Sequence, residues 1–137
     1  MDMKISKLWF DDEKIFILTE DGHTLWQSLL WYPRLKNATE EQRSNYEIDE
    51  CGIRWEAIDE DMSLDSFTYE DPEPIGISKL FLSHPELNAS AVARRASISQ
   101  SLMAQYISGH KKPSVERTKL ILDTIHQIGQ ELTAARL

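Results

Sequence analysis

A chain of 137 residues, 41% of them apolar, can bury a core as one ordinary domain or two very small ones, which excludes disorder as its main state. Its single cysteine, Cys51, excludes an intramolecular disulfide and a cysteine-based zinc cluster, and no apolar run approaches the ~20 residues that cross a bilayer. The formal charge of −8 hides a split: residues 1–74 hold 19 Asp or Glu against 7 Lys or Arg, a balance of −12, whereas residues 75–137 hold 4 against 8, a balance of +4.

Such a charge step points to two modules with different partners. The boundary falls in "YEDPEPIG", where Pro72, Pro74 and Gly76 interrupt helix and strand alike. The expectation is an α+β chain: a small β-rich domain over 1–74, with one helix packed on a mostly antiparallel sheet, then an all-helical domain over 75–137. The start, "MDMKISKLWF", lacks the apolar core of a signal peptide, so a soluble, cytoplasmic protein is expected.

In chain order, "KISKLWF" and "KIFILTE" flank the polar "DDEK" and carry β-branched and aromatic residues in a pattern that predicts a hairpin. "HTLWQSLLWY", after Asp21-Gly22, predicts a third strand, or a strand entering a short helix. Residues 33–46 predict a helix, with Pro33 at its start and Leu35, Ala38 and Tyr46 at roughly helical spacing. "GIRWEAID" alternates and predicts a last strand. The run "DEDMSLDSFTYE" places Asp59, Asp61, Ser63, Asp65 and Glu70 at calcium-loop spacing, but Leu64 stands where the sharp turn needs glycine. It is read instead as a solvated acidic connection from strand to helix.

The second module changes period. Ile77, Leu80, Phe81 and Leu82 predict a short helix, and Asn88 caps the next, "ASAVARRA". Ser97 and Ile98 break the chain before a third helix that buries Met103, Tyr106 and Ile107 and ends at Gly109. Pro113 and Ser114 open the longest helix, with an apolar stripe of Ile121, Ile125, Ile128, Leu132 and Ala135.

In this acidic chain the stretch "SISQSLMAQYISGHKKPS" carries two lysines, a histidine and no carboxylate. Once the apolar side of its helix is buried, Gln100, Ser101, Ala104 and Gln105 lie together on the other side. Glutamine both donates and accepts, so it can hold adenine N6 and N7 with two bonds in the major groove. A carboxylate there would face phosphate. Arg94 and Arg95 either touch the DNA backbone or are solvated surface arginines.

Over "AVARRASISQSLMAQYISGHKKPS" the chain resembles the lambda-repressor-like, Xre-type helix-turn-helix family: a small Ala93 at the helix crossing, Ile98-Ser99 at the break, "SQS" opening the recognition helix, Met103 as a core plug and Gly109 before a basic loop. The resemblance implies base reading by Gln100, Ser101 and Gln105. It implies phosphate contacts at Ala89, Ser99, Ser108 and the loop Gly109, His110, Lys111 and Lys112, with Arg95 a further candidate. Ser97 stands where the family usually has glycine, and Ala89 where it usually has a polar residue. The first module, through "YPRLKNATEEQRSNYEI" and "CGIRWEAIDEDMSL", is similar to an uncharacterised family of small bacterial αβ domains of unknown function, some of which precede helix-turn-helix regions or accompany toxin-antitoxin-type genes.

His23, His84, His110, His126 and Cys51 have no catalytic or metal-binding spacing, and no glycine-rich phosphate loop occurs. No enzyme, cofactor or metal site is expected. The expected function is that of a sequence-specific repressor that binds double-stranded DNA as a homodimer, with an acidic domain that either senses a ligand or binds a partner, a basic protein being one candidate. The alternative is an antitoxin-like or protein-interaction adaptor whose helix-turn-helix is mainly structural.

Overall fold

In the computed structural model, which describes residues 3–69 and 71–137, the chain opens with the hairpin its period-two pattern predicts. Strands β1 (Ile5–Phe10) and β2 (Lys14–Thr19) pair antiparallel, and the turn closes on Asp11, whose Oδ1 accepts from the Glu13 and Lys14 N–H groups at 2.8 and 2.6 Å. Strand β3 (Thr24–Ser28) adds to β2, with Trp9, Phe16 and Trp26 side by side across the sheet. Ile15, Ile17 and Thr19 face the core, while Lys14, Phe16 and Leu18 face the other way, as strand alternation requires. The strand then enters a 3-10 turn, Leu29–Trp31, capped by the Ser28 hydroxyl.

The helix expected over 33–46 is instead two short ones, α1 (Pro33–Lys36) and α2 (Glu40–Ser44). Thr39 explains the break. Its hydroxyl accepts from the Gln42 N–H at 3.1 Å, and its own N–H donates to the Gln42 side chain at 3.0 Å. This capping box starts a helix, so the chain cannot pass through Thr39 as helix interior. Arg43 reaches back from α2 to the Leu35 and Lys36 carbonyls at 3.0 and 3.1 Å, satisfying acceptors that the end of α1 leaves open.

The rest of this unit is a second antiparallel sheet, in the order β4 (Glu47–Ile48), β5 (Gly52–Trp55), β6 (Glu60–Ser63). "GIRWEAID" is therefore not the last strand. It stops at Trp55, turns through a 3-10 segment, Glu56–Ile58, and a left-handed Asp59 (φ 50°), and returns as β6. The acidic run read as a solvated connection is thus a strand with Met62 buried, followed by a 3-10 turn, Leu64–Thr68, that sinks Leu64 and Phe67 into the core. Gly52 is required where β5 meets β6, because a Cβ there would stand 2.2 Å from the Met62 carbonyl oxygen.

Trp55 is fully buried between Phe10 and Tyr46, and its indole N–H donates to the Arg43 carbonyl at 3.0 Å, so its one polar atom is satisfied. A second buried polar group, Gln27, donates to Ser66 at 2.7 Å and accepts from the Tyr32 hydroxyl at 2.8 Å, tying β3 to the 3-10 turn beyond β6.

Contacts divide the chain into two compact units, Met1–Pro74 and Ile75–Leu137. The second consists of α3 (Gly76–Ser83), α4 (Ala89–Arg95), α5 (Gln100–Ser108) and α6 (Val115–Ala134) around its own core of Ile77, Phe81, Val92, Ala93, Ala96, Ile98, Met103, Tyr106 and Ile121. Asn88, Ser99 and Ser114 each accept a backbone N–H bond at a helix start. The buried Ser78 hydroxyl donates to the Tyr106 carbonyl at 2.8 Å, locking α3 to α5. The α6 stripe is buried only over part of its length. Ile121 is in the core, Ile125 and Ile128 are half-covered, Leu132 is 71% exposed and Ala135 lies past the helix end. The α+β class, antiparallel strands before helices, is the one the sequence predicts.

Candidate nucleic-acid interface

Helices α4 and α5 are joined through residues 96–99. Ala96 ends α4, and Ser97 takes a left-handed conformation (φ 59°) that lets the Ile98 N–H bond back to the Ala93 carbonyl at 2.8 Å. That bend drops Ile98 into the core and sets Ser99 as the cap of α5. The resemblance placed glycine at Ser97 because only glycine adopts this geometry without a Cβ penalty. The residue is serine, and the turn forms nonetheless.

With Met103 and Tyr106 buried and Leu102 and Ile107 half-covered, α5 turns Gln100, Ser101, Ala104 and Gln105 to solvent. The side chains of Gln100, Ser101 and Gln105 make no hydrogen bond among the described residues, so their donors and acceptors stay open to a ligand. The helix ends at Gly109 (φ 82°), and the Lys111 N–H returns to the Gln105 carbonyl at 3.2 Å. The exposed basic loop, His110, Lys111 and Lys112, is thereby held next to the exposed side of α5.

The residues named for phosphate contact differ in readiness. The Ser99 hydroxyl accepts from the Leu102 N–H at 3.2 Å but keeps its own proton to donate. Ser108 is engaged with the Gln105 carbonyl at 3.2 Å and with His110 Nδ1 at 2.6 Å. Arg95 grips both oxygens of Glu131 on α6, at 2.7 and 2.6 Å, and reaches phosphate only by releasing that carboxylate. Its neighbour Arg94 is exposed and makes no ion pair among the described residues, which makes it the readier cation. The Arg95–Glu131 pair spans 36 positions, so no local pattern reveals it. Ala89 packs partly on the core and offers phosphate no polar side chain.

In the first unit two carboxylates of the calcium-like run, Asp59 and Asp61, are already engaged, together with Glu56 just before it. Asp59 and Asp61 each meet Arg54 at 2.8 Å, and Glu56 meets it at 3.1 Å. Hydrogen bonding from Arg54 holds the Asp59 carboxyl below its usual range. Among the described residues no group of three His, Cys, Asp or Glu could hold a metal ion; Glu70, the twelfth position of that run, lies outside them.

Fold and surface together define a class: an α+β chain whose first unit is an acidic pair of antiparallel sheets and whose second presents an uncharged polar helix beside a basic loop. The chain belongs to the family described as protein of unknown function (DUF2442), whose model matches residues 5–73. That match ends before α3, so the helix-turn-helix reading rests on the geometry of α4 and α5. No curated protein and no solved structure matches the chain significantly.

Proposed function

We propose that the helical unit binds double-stranded DNA with α5 in the major groove, and that the chain acts as a repressor by occupying its operator. One observation carries this reading: Gln100, Ser101 and Gln105 are exposed and unbonded on a capped helix, in a segment, residues 97–114, without a single carboxylate. In this reading the two glutamines contact base edges, while Ser99, Arg94, Lys111 and Lys112 contact phosphates. The unit's charge of +4 supplies the attraction that its −12 neighbour lacks.

A recognition helix of nine residues covers too few base pairs to select an operator alone. The reading therefore includes a homodimer whose half-sites lie one helical turn, about 34 Å, apart. The uncovered Leu132, continuing the stripe of Ile121, Ile125 and Ile128, is the apolar surface that suits a second copy.

Selection of duplexes from a random pool tests the reading. The expected product is a two-fold repeat whose affinity falls steeply with salt, and Lys111→Ala with Lys112→Ala should flatten that salt slope for all duplexes alike. A pool that yields no enriched site would favour the adaptor reading, in which the helical unit only carries the acidic one.

A further inference from the structure

The open edge of β1 is a place where another chain can pair. Sheet order β1-β2-β3 leaves β1 hydrogen-bonded on one side only. The Asp11 N–H bonds to the Lys14 carbonyl at 3.1 Å, and antiparallel bonding alternates from there, so Trp9 bonds to Phe16 while Leu8 and Phe10 turn their N–H and C=O groups away from β2. Among the described residues no hydrogen bond uses those four groups. Proteins usually blunt such an edge with a bulge, a proline or an inward charge. Here the bulge lies between Ile5 and Lys7, and the Leu8–Phe10 end has none of these.

A groove of about 400 Å³ runs along that end, between Leu8–Asp12 and the α2 residues Glu40, Arg43 and Ser44, with Tyr46 beside them. Leu8, Phe10 and Tyr46 line it, and three exposed carboxylates, Asp11, Asp12 and Glu40, stand at it too. The one cation lining it among the described residues, Arg43, donates to the Leu35, Lys36 and Asp11 carbonyls and lies 5.3 Å from the Phe10 ring centroid.

We infer that this groove binds an extended, lysine- or arginine-bearing segment of another protein, which adds as a strand to β1 by bonding main chain to main chain at Leu8 and Phe10. Unpaired backbone supplies affinity, and the three carboxylates select a basic occupant. A polyanion such as single-stranded nucleic acid would meet three carboxylates within a unit of charge −12. Five of the eight cations of this chain's own helical unit lie in helices α3, α4 and α6, so the strand comes from a second protein. The inference concerns the first unit alone and stands or falls separately from DNA binding.

The experiment is amide NMR on the full chain, titrated with a ten-residue peptide alternating lysine and valine. Three controls are the glutamate–valine counterpart, the lysine peptide N-methylated on alternate residues, and a chain carrying Asp12→Lys and Glu40→Lys. The inference expects slowed exchange at the Leu8 and Phe10 amides with the lysine peptide only, and affinity about tenfold weaker for the doubly substituted chain. Equal binding of the N-methylated peptide would overturn strand addition, because it would leave side-chain capture alone. Protection of the same two amides without peptide, growing with protein concentration, would overturn it in favour of edge pairing between two copies.

Discussion

Ser97 is the residue at which local preference and fold disagree most plainly. A left-handed serine costs on the order of 1–3 kcal/mol, and glycine removes that cost while losing about 0.5–1 kcal/mol through greater freedom in the unfolded chain. Ser97→Gly should therefore stabilise the helical unit by about 1 kcal/mol in urea denaturation; an unchanged or lower midpoint would mean that the turn holds no strain. Tyr32 makes a second case. Burial raises its phenol above the usual value of 10.0, so the native state favours the neutral form. Stability from this group is then fully present below pH about 10 and is lost as pH rises through the raised value. Urea midpoints should fall as pH rises above about 10, less steeply in Tyr32→Phe, and parallel profiles would contradict the assignment.

At the scale of elements, legibility followed the side chains. The β1–β2 hairpin was readable because period-two β-branched residues flank a polar turn, and α4 and α5 because Asn88, Ser99 and Gly109 punctuate them. The break at Thr39 carried a signal, Gln42 three residues on, which helical spacing outweighed. Strand β6 was hidden because Glu60-Asp61-Met62-Ser63 has one buried apolar residue and its charges read as solvated; across the ladder Arg54 pairs with Asp61. The exposed face of α5 could be read from its period, whereas the engagement of Arg95 by α6 could not, since it depends on a tertiary crossing. The exposed end of α6 belongs to this scale too. Leu132→Glu should abolish dimer formation in light scattering without lowering the melting temperature, because the side chain contributes little to the monomer core. A parent chain that is monomeric at all concentrations, alone and on DNA, would contradict it.

For the molecule as a whole, charge is the organising quantity. A −12 unit tethered to a +4 unit repels the phosphates its neighbour attracts, so intact chain should bind random duplex more weakly than residues 75–137 alone at low salt. The gap should close as the Debye length falls from about 30 Å at 0.01 M to about 8 Å at 0.15 M. Equal affinities at low salt would mean that the acidic charge serves only a protein partner. The central claim, that α5 reads bases, is tested most directly by footprinting the parent, Gln100→Ala and Gln105→Ala on the selected duplex and on an unrelated one. Each substitution should cost about 1–3 kcal/mol on the selected site and leave the unrelated duplex nearly unchanged. Footprints of both variants identical to the parent on the selected site would contradict the claim.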